Sequence, residues 1–303
     1  MIRERADVRH GFAARLVHPT VKFERGLQAP PLTTNYRIVE GAFDYLLRFL
    51  LQRINPHARA APWLAERGAE IIALGQGAAK GQDVPTISRH PRRLRAAAYL
   101  ADAKRRYRTY VENGQVTENL LLAAHRLAHL EVAFRAGADR VDWRSINYLS
   151  PEDAADLKAL LKLVDEKAFC TSRACIAKPQ LGAADLVGGA EPDLILGDCL
   201  VNVQTTKDGK VDVRDFYQLV ACWLLLGLGG VAGEDGKIEQ LPVTSIGIYL
   251  SRFGQLWRVP VEQVLPASVV GDTTRWFVEA ASTSNKDSPA LLKALSGPLA
   301  GHL

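Results

Sequence analysis

The sequence predicts a mixed α/β (α+β) fold: a helical N-terminal part, then a mixed sheet flanked by helices. Three observations carry this. Apolar residues recur three and four apart through much of residues 37–135, which is the period of an amphipathic helix. Two short apolar runs, 194–196 and 199–203, flank Gly197-Asp198, and such a dipeptide signals a two-residue hairpin because a primed turn needs positive φ. A helical stretch beginning at Asp212 separates that hairpin from two more strand-like runs, 243–250 and 255–259.

Composition bounds the class. The chain has 303 residues, 48% hydrophobic and 23% charged, which is globular and sufficient for a core. No apolar run reaches the roughly 18 residues of a membrane span, so no membrane partner is expected. The N-terminus is polar and lacks the apolar core of a signal peptide; the expected location is cytoplasmic. Net charge is +5, a mild excess compatible with nucleic acid. The four cysteines, Cys170, Cys175, Cys199 and Cys222, form no C-x-x-C pair. They read as reduced, mostly buried thiols rather than a zinc or redox framework.

Taken in order, residues 1–36 are punctuated by Pro19, Pro30 and Pro31 and read as an arm with a short strand over 17–23. Residues 37–55 form a helix with Phe43, Leu46, Leu47, Leu50 and Leu51 on one face, ended by Asn55-Pro56. Residues 62–80 are a second helix, and 82–90 a loop. Residues 91–111 are a third helix. From 89 to 108 there are eight Lys or Arg and one acid, Asp102, with Tyr99, Tyr107 and Tyr110 among or beside them. Arg92, Arg93 and Arg95 cluster at one end, and Lys104, Arg105, Arg106 and Arg108 at the other. Such a stripe suits a phosphate backbone, with tyrosines to stack on bases; it also suits a solvated face whose long side chains cover apolar neighbours.

Residues 117–135 are a helix capped by Thr117. His125 and His129 share a face but lack the Glu of a zinc-protease motif, so they read as a structural pair. Ser150-Pro151-Glu152-Asp153 starts the next helix, with Ser as cap and acids in the first turn. A strand is expected over 183–187, and Gly188-Gly189 for close passage of the backbone beside the hairpin. Lys207-Asp208-Gly209-Lys210 turns. Asp212 caps a helix with Asp215 at its capping-box position and Phe216, Leu219, Val220, Trp223 and Leu224 on its buried face. After the strands at 243–250 and 255–259, a helical turn or two is expected at 273–280. The regions are therefore 1–149, mainly helical with helix 37–55 packing on the core; 150–280, the core; and 281–303, a loosely ordered tail with a weak helix at 290–295.

The hairpin fixes a register by counting. Leu196 faces Cys199, Ile195 faces Leu200, Leu194 faces Val201, and Asp193 lands opposite Asn202. Side chains alternate along a strand, so Asp193, Asn202 and Gln204 share one face. Polar residues there look like a site.

These residues carry a resemblance. Pro192-Asp193, the hairpin, Asn202-Val203-Gln204, Thr205-Thr206 and a helix reading Asp-Val-Arg-Asp-Phe-Tyr-Gln-Leu resemble the PD-(D/E)XK nuclease superfamily in its RecB-like form. The match covers about 185–260 well and 37–55 loosely. It implies a restriction-endonuclease-like core over 150–280, and a metal-dependent DNA nuclease, with a prokaryotic defence or repair role by analogy. On this pattern Asp193 binds Mg²⁺ or Mn²⁺, Asn202 and the Val203 carbonyl complete the site, Gln204 positions water, Gln218 is the helical Gln, and Glu40 is a further ligand from the early helix. The residues alone favour reading Glu40 as a favourable charge in a first turn. Arg252, in the last hairpin, faces nucleic acid or pairs with a carboxylate. The chain departs from the pattern at two points: Asn202 stands for the acid and Gln204 for the lysine. Mg²⁺ usually takes one or two carboxylates, and Asn offers only a neutral oxygen. The alternative is a catalytically inactive nuclease-fold protein that binds nucleic acid or scaffolds a complex with other protein subunits.

Overall fold

The computed structural model describes residues 5–20, 24, 26–74, 91–233 and 236–282. In chain order the elements are α1 (Ala6–Ala13), α2 (Tyr36–Ile54), β1 (Arg59–Ala60), α3 (Leu64–Leu74), α4 (Pro91–Asn113), α5 (Glu118–Ala136), α6 (Pro151–Lys162), α7 (Glu166–Phe169), β2 (Cys175–Ala177), β3 (Leu194–Leu196), β4 (Cys199–Gln204), α8 (Val213–Gly229), β5 (Val231–Ala232), β6 (Ile238–Glu239), β7 (Ser245–Leu250), β8 (Gln255–Pro260), α9 (Val261–Val264) and α10 (Ala267–Ser282). The protein is mixed α and β, and among the described residues no helix is long and apolar enough to cross a membrane.

The chain divides into two compact units. A sheet unit comprises Met1–Leu27, His57–Ala61 and Thr171–Leu303; a helical unit comprises Gln28–Pro56 and Pro62–Cys170. Helix α6 packs on α2 and α5, and the helical unit runs to Cys170. Helix α2 belongs to the helical unit.

In the helical unit the apolar period of α2 is buried as read: Phe43, Leu46, Leu47, Leu50 and Leu51 are all inside. Each such side chain contributes about 1.5–3 kcal/mol. Asn55 ends the helix by donating from Nδ2 to the carbonyls of Leu51 at 3.2 Å and Phe169 at 2.9 Å. Thr117 Oγ1 accepts from the Leu120 amide at 3.2 Å to cap α5, and Ser150 Oγ accepts from the Asp153 amide at 3.0 Å to cap α6. Helices α3 and α5 cross closely at Gly68, where a Cβ would sit 1.9 Å from the Leu130 carbonyl oxygen. Of the expected helix 62–80, the part after Leu74 lies outside the described residues, as do Arg89 and the expected loop 82–90.

The sheet runs β1-β2-β3-β4-β7-β8. Strands β2, β3 and β4 form an antiparallel meander, β4 and β7 are parallel, and β7 and β8 are antiparallel. Parallel neighbours need a long crossover, and α8 lies within it. One apolar row crosses five strands: Ile176, Ile195, Leu200, Ile246 and Val259 are successive partners. These residues pack with Phe216, Leu219, Val220 and Leu224 of α8 in a single core. The same core takes Val8 and Phe12 of α1 and Phe277 and Val278 of α10. Phe12 stacks on Tyr217 with centroids 5.6 Å apart and meets Trp276 edge-on at 5.1 Å.

Several expectations change here. Part of the N-terminal arm is the helix α1. No strand forms over 17–20, and 21–23 lie outside the described residues. The expected strand at 183–187 is a 3-10 turn, Ala184–Val187. Gly188 and Gly189 have φ of +73° and +111°, yet an added Cβ would meet nothing within 4 Å. The left-handed backbone, not close passage, is what calls for glycine there. Helix α10 extends well beyond the expected 273–280, and the tail from 283, with its expected helix at 290–295, lies outside the described residues.

His125 and His129 stack edge-on with centroids 4.6 Å apart, both buried. Neither nitrogen of His129 has a hydrogen-bond partner among the described residues. Burial first, then the neighbouring His125, pushes His129 down from 6.5 to about 4.

Two outcomes are expected. Gly68→Ala forces α3 off α5 and lowers unfolding stability by about 1–3 kcal/mol, measured by urea denaturation at neutral pH. Between pH 6.5 and 4 the unfolded chain binds a proton at His129 that the folded chain refuses. Stability therefore falls as pH drops through that window, by about 3 kcal/mol in full, and His129→Phe flattens that part of the urea midpoint profile.

Candidate functional site

The turn at Gly197 sets the site. Gly197 has φ +64°, and Asp198 is not among the positive-φ residues, the pattern of a II′ turn with Gly first. The pairing is the one counted from sequence: Leu194 with Val201, Ile195 with Leu200, Leu196 with Cys199. Two residues along from the apolar row come Lys178, just past β2, Asp193, just before β3, and Asn202 on β4; Gln204 is one pleat further on β4. The apolar row faces α8, so by alternation Asn202 and Gln204 face α8 as well.

Asp193 is fully engaged. Its Oδ1 takes the Lys178 ammonium in an ion pair, with side chains 17% and 14% exposed. Its Oδ2 accepts the Val203 amide at 2.8 Å, and its main-chain carbonyl accepts the Lys178 amide at 2.8 Å. Lys178 itself has φ +51°, the only positive φ outside glycine among the described residues. Lysine is uncommon in that region.

Helix α8 brings Asp215 and Cys222 to this row. Gln204 Nε2 donates to Asp215 Oδ2 at 3.1 Å, so Asp215, read as a capping residue, reaches the strand. Asp212 caps the helix by accepting from the Arg214 amide at 2.8 Å. Cys222 lies two turns beyond Asp215, and its thiol is pushed up to about 12, by burial first and then by the negative charge of Asp193. Gln218 sits between them on the same stripe. Gln218 and Asn202 are half-buried.

Lys178 and Asp215 are the members that sequence reasoning missed. Glu40 is exposed on α2 in the helical unit. Arg252 is buried, 1% exposed, in the 3-10 turn Ser251–Phe253; it is not a surface contact for nucleic acid. On α4 the expected basic stripe is partly spent. Lys104 pairs with Glu66 at 2.5 Å, Arg105 and Arg106 pair with Asp102, and Arg92 lies over the Trp143 ring at 5.8 Å. Arg93, Arg95 and Arg108 form no ion pair among the described residues.

The residues present do not fit a divalent cation. Among the described residues no group of three or more His, Cys, Asp or Glu comes together to hold one. Asn202 and the Val203 carbonyl offer only neutral oxygens. At an effective dielectric near 20, unit charges 4 Å apart interact by about 4 kcal/mol. A divalent ion that close to both members of the pair gains about 8 kcal/mol from Asp193 and loses about the same to Lys178. Little remains to offset dehydration, which Mg²⁺ resists.

Comparison with protein-family models, curated proteins and solved structures finds no match.

The pair is expected to be coupled. Lys178→Met and Asp193→Asn should each lower stability by about 1–3 kcal/mol. In a double-mutant cycle their effects should fall short of additive by about 0.5–3 kcal/mol; strict additivity in denaturation midpoints would show that the contact contributes nothing.

Proposed function

We propose that the sheet unit is a PD-(D/E)XK-type nuclease core that has lost metal-dependent cleavage, and that the chain acts by holding nucleic acid. One observation carries the reading: the aspartate at the PD position has both oxygens taken, one by a lysine, while the other two motif positions hold neutral amides. The restriction-endonuclease-like fold is supported by the order of parts in this unit. A hairpin bears Asp193, a triplet follows on β4, α8 brings Gln218 over the same face, and β7 and β8 close the sheet.

Losing a single transition-state donor typically costs about 10²–10³ in rate, and two motif positions have changed. The nucleic-acid part rests on the net charge of +5 and on α4, where Arg92, Arg95 and Arg108 are exposed. Phosphate contacts of this kind supply affinity without sequence preference. The second reading, a Mg²⁺- or Mn²⁺-dependent nuclease, is favoured by one observation: Lys178 sets beside Asp193 the positive charge that Gln204 cannot supply.

The test is binding and cleavage of labelled duplex and single-stranded DNA. Affinity should fall with salt at a log–log slope of about −2 to −4 on duplex, and Arg95→Ala and Arg108→Ala should each reduce that slope by about 0.9. DNA should remain intact with Mg²⁺ or Mn²⁺. Cleavage abolished by Asp193→Ala would restore the catalytic reading, and absence of binding would remove nucleic acid from the function.

A further inference from the structure

We propose that the Lys178 ammonium is a built-in replacement for a divalent cation at Asp193. The inference rests on reading the sheet unit as a nuclease-type core, and it assigns a role to a residue outside the motif. Three observations support it.

The first is position. Lys178 and Asp193 are neighbours in one polar row, and the pair is mostly enclosed, with side chains 17% and 14% exposed. A rim ion pair of long mobile side chains contributes little; this one lies at the end of the core row.

The second is backbone. A lysine is held at φ +51°, where side chains other than Gly, Asn and Asp are rarely found. Such a conformation persists when its surroundings over-determine it. Here the Lys178 amide is fixed to the Asp193 carbonyl at 2.8 Å while the ammonium holds Oδ1 of the same residue. The strained residue is aimed at the carboxylate by two contacts.

The third is charge. The neighbouring side chains Asn202, Gln204 and Gln218 are neutral, and Asp215 is engaged by the Gln204 amide. Asp193, beside Asn202 and the Val203 amide, asks for a single positive charge, and the lysine supplies it without a dissociable ion. Carboxylate and cation are then joined through one chain, so the charge of Asp193 is balanced whatever the metal concentration around it.

The experiment is melting with and without 10 mM MnCl₂, on the full chain and its variants. Lys178→Ala should melt below the wild type, and Mn²⁺ should raise its midpoint by about 3–6 °C, the shift for a site of roughly millimolar affinity. The wild type and Lys178→Arg should move by less than about 1 °C. Lys178→Ala combined with Asp193→Ala should lose the response. A wild-type shift as large as that of Lys178→Ala, or no shift in Lys178→Ala, overturns the proposal. If Lys178→Ala does not fold, Mn²⁺ titration of the wild type by electron paramagnetic resonance decides. A submillimolar site removed by Asp193→Ala overturns the proposal, and no such site sustains it. None of these readouts involves DNA, so a failure here is separable from a failure of nucleic-acid binding.

Discussion

The pairing of β3 with β4 decides which side chains meet in the sheet unit, and one glycine turn fixes that pairing. Because side chains alternate with a period of two, a slip of one residue would move Asp193 to the opposite face. It would also take Ile195 and Leu200 out of the core they share with α8. The apolar row and the polar row are locked together: burying the first places the second. The ion pair at Asp193 is thus positioned by hydrophobic packing a few ångströms away.

This explains what could be read from the residues and what could not. The register of the hairpin was legible because a Gly-Asp turn and two apolar runs leave one way to count. Helix starts at Thr117, Ser150 and Asp212 were legible because capping chemistry is local. Lys178 was not legible. Strand β2 has three residues, too few for an alternation to register, and its partner is fixed only through the meander. Asp215 carried a plausible local role at the start of α8, which hid its contact with Gln204. Helix α1 has only two buried apolar residues, Val8 and Phe12, so its periodicity is short and faint. Arg252 was misplaced because a turn sequence suggests solvent, whereas this turn is packed under its neighbours.

The basic helix α4 gives the same lesson for charge. Its cations form a conspicuous run in sequence, but a run says nothing about acids on adjacent elements. Glu66, on α3, takes Lys104, and Asp102, within α4 itself, takes Arg105 and Arg106 and reaches Arg126 of α5 at 3.5 Å. Acids on adjacent turns and elements lower the field such a run offers a ligand. Counting residues therefore overstates the field of such a surface, and only the tertiary partners correct the count.

The sheet unit is stitched from three separate pieces of chain. Its first helix, α1, lies against Tyr217 of α8 and Trp276 of α10, residues translated long after it. During synthesis Val8 and Phe12 leave the ribosome long before those partners exist. Contacts so remote in sequence slow folding and prolong the exposure of sticky surface. The newborn chain thus waits, α1 undocked, until α8 and α10 have both been made.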